Sequence, residues 1–136
     1  MDKQVIYYGI FLSDAEAAKL KQIMWPYIKP KEGWREYIHH MTISFGEPTD
    51  DVIKQYIADN MGKRITLQVI GYGQDNRAAA IQVSGSVSNN RIHHITMYVA
   101  PDAKPVDSNR IAHWNMMPSE IGPITVTGTV GAVYKD

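Results

Sequence analysis

Cysteine is absent from the 136 residues, which excludes disulfides and thiolate metal ligands and fits a reducing compartment. An excess of either charge is missing too: 14 Lys and Arg balance 14 Asp and Glu. No net field is therefore available to hold a polyanion or an anionic membrane by charge alone. A small ligand suits this balance better than duplex nucleic acid, and nothing implies a protein partner. No apolar run reaches the length of a membrane span. The opening "MDKQVIYYG" lacks the basic, apolar and small-residue regions of a secretion signal. A cytoplasmic protein without membrane contact is the expectation, and its length with 44% hydrophobic content fits one domain over 1–136 with its own core.

What is present begins with a β-branched and aromatic run, Gln4 to Leu12, stopped by "SDAE", where Ser13 and Glu16 have capping-box spacing. Ala17, Leu20, Ile23 and Met24 continue at helical spacing until Pro26 opens a loop, "KPKEGWRE". A strand follows in "YIHHMTISFGEP", Tyr37 to Pro48. A second helix then has Thr49 as its expected N-cap, Val52, Ile53, Tyr56 and Ile57 as its apolar face, and Gly62 beyond its end. From Arg64 the period becomes strand-like: "RITLQVIGYG", the turn "QDNR" and "AAAIQVSGS" predict a hairpin, and "RIHHITMYVA" another strand. A long irregular connection, with at most one short helix, leads to the closing strand "ITVTGTVGAV". Strands and helices alternate without a βαβ rhythm, which predicts an α+β domain with mainly antiparallel sheet.

Within this pattern one unit occurs twice. Ile38, His39, His40, Met41, Thr42 align with Ile92, His93, His94, Ile95, Thr96, identical at four of five positions. Alternate strand residues share a face, so His40 projects with Thr42, and His94 with Thr96. Met41, Ile43 and Phe45 project to the opposite, apolar side, as do Ile95, Met97 and Val99. His39 and His93 are expected on that apolar side or at its rim, supporting the strands from behind.

Two His-x-Thr units in apolar strands, "HMT" at His40 to Thr42 and "HIT" at His94 to Thr96, resemble the paired motifs of the 2H phosphoesterases. The resemblance extends over most of the chain. It implies a bilobal, pseudo-twofold fold of antiparallel sheets with outer helices, each lobe presenting one motif to a central cleft. It also implies metal-independent phosphodiester chemistry, with His40, Thr42, His94 and Thr96 catalytic and no cofactor. More narrowly, "YYG", "HHMTISFGEP" and "HHITMYVAPDAKPVDSN" look like the branch containing phage proteins that degrade the cyclic oligonucleotide signals of CBASS defence, acting in the host cytoplasm. That likeness marks Lys104, Ser108 and Asn109 as a loop over the ligand. Gly131 and Ala132 depart from it, where a polar or acidic contact would be expected.

The chemistry fits the residue types. In-line displacement at phosphorus needs a base for the attacking hydroxyl or water and an acid for the leaving oxygen. Imidazole, with an ordinary pKa of about 6.5, serves either end, one copy neutral and one protonated. Hydroxyls of Thr42 and Thr96 are candidate donors to the phosphate oxygens. Tyr7 is a third, because it shares a face with Gly9, whose missing side chain leaves room for a ligand; Tyr8 falls in line with Ile6 and Ile10. Trp34, Tyr37, Tyr98 and Trp114 flank the motif strands and offer flat faces for nucleobases.

The expected substrate is a small cyclic nucleotide or oligonucleotide, such as a cyclic dinucleotide or trinucleotide. Alternatives are an RNA-end 2′,3′-cyclic phosphodiesterase of RNA repair, disfavoured by the lack of a basic stripe, and a nucleotide-binding module that does not cleave. A four-histidine metal site is awkward, since adjacent strand residues point apart.

Overall fold

In the computed structural model, which describes residues 4–135, the chain forms an α+β domain with eight strands and two α-helices. The first strand, β1 (Gln4–Leu12), has the predicted bounds. It ends at Ser13, whose Oγ accepts from the Glu16 backbone N–H and starts α1 (Asp14–Met24). The capping box is only half formed. The Glu16 carboxylate reaches instead to the backbone N–H of Thr127, 2.9 Å away, and so ties the helix to the last strand. Two residues of the predicted loop, Arg35–Glu36, form a short strand β2.

Strand β3 (His40–Phe45) precedes α2 (Asp51–Asn60). The helix is capped by Asp50 rather than Thr49: the Asp50 carboxylate accepts from Val52 and Ile53 N–H at 2.8 and 3.1 Å. Its buried stripe is Ile53 and Ile57, with Tyr56 half-buried, while Val52 is 69% exposed in the first turn. Gly62 stands beyond the end at φ +80°, a backbone state that suits glycine. Asp50→Ala is expected to lower the stability of the domain by about 1 kcal/mol, read as a lower urea midpoint at unchanged slope. An unchanged midpoint would show that this cap contributes nothing.

The hairpin of β4 (Arg64–Gln74) and β5 (Ala78–Ser84) turns on Asp75, whose side chain accepts from Arg77 and Ala78 N–H. Strand β6 is His94–Val99, β8 is Ile124–Lys135, and between them the connection holds two 3₁₀ helices, Pro105–Arg110 and Ser119–Ile121, and a short strand β7, Trp114–Met116. All strand pairings are antiparallel, in the order β2-β6-β3-β1-β8-β4-β5, with β7 added to β4. Because β5 also pairs with β6, six strands form a closed circuit of ladders. The core lies against this sheet: Leu20 and Met24 from α1 and Ile53 and Ile57 from α2 join Ile10, Met41, Ile43, Leu67, Ile81, Ile95, Met97 and Val126. Among the described residues no helix is long and apolar enough to cross a membrane.

Two details of this sheet set the site. First, β3 meets β6 at a single pair, Met41 with Ile95, the middle residues of the two repeats. That pair sets the two repeats antiparallel at one point; before it the backbone slips, with Ile38 N–H donating to Thr96 O and Glu36 facing Tyr98, and after it Thr42 O accepts from Ser88 Oγ. Second, the β1–β3 register slips by one residue: Gly9 faces Thr42 but Tyr8 faces Ser44. The extra residue, Ile43, is a bulge that reverses the alternation beyond it. Phe45, expected on the apolar back with Met41, therefore emerges opposite Tyr7 on the side of His40 and Thr42, 59% exposed.

Candidate active site

A cavity of about 710 Å³ opens over the β3–β6 junction, within the size range of small-molecule sites. All four motif side chains line it: His40, Thr42, His94 and Thr96. Each histidine is the first residue of its strand, so the doubled histidines straddle a boundary instead of lying within a strand. This changes the place of His39. Ile38 immediately before it has φ +46°, a strained state for a β-branched residue. It is held there by a buried side chain and by its N–H, which donates to Thr96 O at 3.0 Å. The chain turns at that point, and His39 comes out exposed on the cavity wall rather than behind the strand.

The His40 ring is packed between aromatic neighbours. It stacks on Tyr7 with centroids 4.7 Å apart and planes at 24°, and lies 5.5 Å from Phe11. Its Nδ1 is 2.9 Å from His39 Nδ1. Burial first, then the nearby His39 and His94, push its pKa down to about 4. Gly9 has a different use from the one expected. A Cβ there would stand 2.9 Å from Met41 O and 3.4 Å from the His40 ring. The missing side chain thus admits β3 and its histidine, not a ligand.

His94 is 6% exposed. Its Nδ1 lies 2.7 Å from Ile92 O and its Nε2 2.9 Å from Ser108 Oγ. A carbonyl only accepts, so Nδ1 carries the hydrogen and the neutral ring presents a bare Nε2. Burial lowers this pKa also, against the opposing pull of the Ile92 carbonyl. With both rings pushed down, the expectation of one neutral and one protonated copy gives way to two neutral rings in the ligand-free cavity near neutral pH.

Ser108 joins the second motif to the 3₁₀ helix. Its Oγ lies 2.9 Å from His94 Nε2, 2.8 Å from Thr96 Oγ1 and 2.7 Å from Pro105 O, and the residue is 1% exposed. One serine proton cannot serve both the bare Nε2 and the carbonyl. When His94 is protonated, Nε2–H and Thr96 donate to Ser108 and Ser108 donates to Pro105, so every group is paired. The network therefore favours proton uptake by His94 at the moment of general-base action. The Asp107 carboxylate steadies this helix by accepting from Lys104 N–H at 2.9 Å, and Arg77 lies 3.9 Å from it.

Of the other sequence candidates, Tyr7, Lys104, Ser108 and Asn109 line the cavity. Burial raises the Tyr7 pKa, so its hydroxyl remains a donor at neutral pH. Tyr8 points elsewhere and donates to Glu47 at 3.0 Å. Trp34 and Trp114 lie outside the wall. Trp34 packs into the core beside Val99 and Ala100. Trp114 packs on Ala78, Ala80 and Ile111, donates to Ile111 O, and sits with its ring 6.1 Å from His94. Tyr98 is a core residue. The aromatic walls are instead Tyr7, Tyr37 and Phe45, joined by Glu36, Asn90, Pro105 and Val106. Alternation alone hid Phe45, and Asn90 belongs to a loop held to β3 by Asn89 N–H donating to Ile43 O. Among the described residues no group of three or more His, Cys, Asp or Glu side chains is placed to hold a metal ion. The chain matches no protein-family model and no curated protein.

Proposed function

We propose that this chain is a metal-independent phosphodiesterase of the 2H type, acting on a cyclic nucleotide or cyclic oligonucleotide. The observation that carries the reading is that the two His-x-Thr copies run antiparallel at the Met41–Ile95 pair and that all four of their side chains line one cavity. The local twofold relation at that pair supports two lobes meeting there, β3 with β1 on one side and β6 with β5 on the other. His40 and His94 divide the base and acid roles around the phosphorus. Thr42 donates to its non-bridging oxygens and Thr96 does so by turning its hydrogen away from Ser108, with Tyr7 and Lys104 on the same cavity wall, Lys104 supplying positive charge. Tyr37 and Phe45 offer flat faces to nucleobases, where stacking contributes about 1–3 kcal/mol per base. A cyclic dinucleotide or trinucleotide of the kind that carries CBASS signals, met in the cytoplasm of a phage-infected host, fits a small cavity with balanced charge.

The second reading, opening of 2′,3′-cyclic phosphate ends on RNA, uses the same four residues. It is favoured by the cavity's mouth, which leaves Phe45 exposed where a strand of RNA could continue. Incubation with a chelator and a panel of cyclic dinucleotides, cyclic trinucleotides and RNA ending in a 2′,3′-cyclic phosphate separates the two, with products identified by mass. Turnover of a cyclic oligonucleotide in chelator is expected. A cyclic phosphate end would identify a ribose hydroxyl as the attacking group, and a linear phosphate would identify water. Tight binding of one probe with no turnover of any would replace the enzyme with a sequestering module, and activity abolished by chelator would overturn the metal-free mechanism.

A further inference from the structure

The doubled histidine of the first motif contains a group that the mechanism above does not use. His39 and His40 stand edge to face, centroids 5.1 Å apart and planes at 89°, with the two Nδ1 atoms 2.9 Å from each other. At that separation they share one hydrogen: one Nδ1 donates and the other accepts. The second motif is built differently. His94 turns its Nδ1 to the Ile92 carbonyl and its hydrogen-free Nε2 to Ser108 Oγ, which leaves Nε2 as the ring nitrogen able to take up a proton in the base role. The acid role then falls to His40, and an acid must hold hydrogen on Nε2, the nitrogen with no hydrogen-bond partner among the described residues.

Resting on the phosphodiesterase reading, we propose that His39 is a positioning residue for proton transfer: it donates Nδ1–H to His40 Nδ1, holding the His40 hydrogen on Nε2 toward the leaving oxygen, and replaces that proton as it departs. The step balances. The His40 Nε2–H bond breaks as the O–H bond of the leaving group forms, and the Nδ1–H bond of protonated His39 breaks as Nδ1–H forms on His40. His39 ends neutral with its Nε2–H retained, His40 ends neutral in its other tautomer, and the positive charge lost by His39 cancels the negative charge of the leaving oxygen. Solvent then reprotonates His39, which is exposed.

Such a relay answers a difficulty in the buried ring. A His40 held down to about pH 4 stores little imidazolium near neutrality, but in the relay the proton it gives up is replaced through the Nδ1–Nδ1 contact, so the buried ring is neutral before and after. The other groups facing the pair are Tyr7 of β1 on the His40 ring face and His94 of β6, with Glu36 and Lys104 lining the same cavity. Among these Tyr7 is stacked through its face and His94 is committed to Ile92 and Ser108, so neither competes for His40 Nδ1.

Two measurements on the full chain test this. In a long-range ¹H–¹⁵N spectrum near neutral pH, wild-type His40 should show the Nε2–H form with an accepting Nδ1; in His39→Ala the two tautomers should mix. With a cyclic dinucleotide or the 2′,3′-cyclic phosphate RNA as probe, His39→Ala should lower kcat about 10- to 100-fold at unchanged KM. Added imidazole should restore part of the loss. His39→Gln, whose amide can donate to His40 but cannot pass a proton on, should keep the wild-type His40 tautomer yet lose the same kcat and the wild-type pH profile. Nδ1–H on wild-type His40, or a His39→Ala protein with wild-type kcat and pH profile, would overturn the proposal. If the wild type turns over neither probe, the phosphodiesterase reading fails, and the spectrum alone decides whether His39 sets the His40 tautomer.

Discussion

Alanine in place of His94 is expected to lower kcat by roughly 10²- to 10⁴-fold on whichever probe the wild type cleaves, with KM changed far less. The ring is 6% exposed and its Nε2 already lies in a hydrogen bond with Ser108, so it contributes little to ground-state contact. What disappears is the acceptor for the attacking proton. His40→Ala should cost a similar factor by removing the other proton-transfer group, and the double variant should lose much less than the product of the two factors, because neither half of the transfer works alone. Each substitution also takes a ring from a packed place, beside Trp114 for His94 and against Tyr7 for His40. His94→Asn and His40→Asn, smaller in cavity cost, should show the same loss, with thermal unfolding confirming the fold. Folded variants within tenfold of wild-type kcat would remove these residues from the chemistry.

The elements that local chemistry dictates were legible in the sequence. β1 is nine residues of β-branched and aromatic character closed by a serine cap, and it occurs as read. The hairpin of β4 and β5 follows from its period and its Asp75 turn. The pair of motifs was visible because identical residues at identical spacing need no structure to be compared. What escaped was decided by contacts distant in sequence. β7 exists because Trp114 to Met116 find Gly73 to Gly71 as partners, and nothing in those three residues announces it. Thr49 and Asp50 both make good caps, and only the backbone path out of β3 chooses Asp50. Phe45 crossed to the cavity through a one-residue bulge, and His39 through a left-handed Ile38, a conformation that no isoleucine advertises. The direction of an aromatic side chain was the hardest property to read. Trp34 and Trp114 had the right type and lie near the motif strands, but small buried alanines, Ala100 for one and Ala78 and Ala80 for the other, drew them into packing.

The second large effect is an acid sensitivity that belongs to the site rather than to the carboxylates. The folded-state pKa of His40 is near 4, whereas the unfolded chain titrates near the ordinary value of about 6.5. Between those two values the unfolded state binds more protons, so stability rises with pH across that window. The contribution is complete above about pH 6.5, falls as pH drops toward 4, and changes no further below it. Its size is on the order of 3 kcal/mol. His94, lowered for the same reason of burial, adds in the same direction. Against a total of about 5–15 kcal/mol for a domain of this kind, the loss is large enough to move a urea midpoint well down before carboxylates such as Glu16, whose own pKa is lowered by its bonds to Thr127 and Lys19, begin to protonate. His40→Gln should flatten the dependence of the midpoint between about pH 7 and pH 4.5 while leaving the steeper fall at lower pH in place. Equal slopes for variant and wild type would mean that His40 is charged as readily in the fold as outside it. A ring that protonates so easily would hold its own acid proton, and His39 would have nothing to supply.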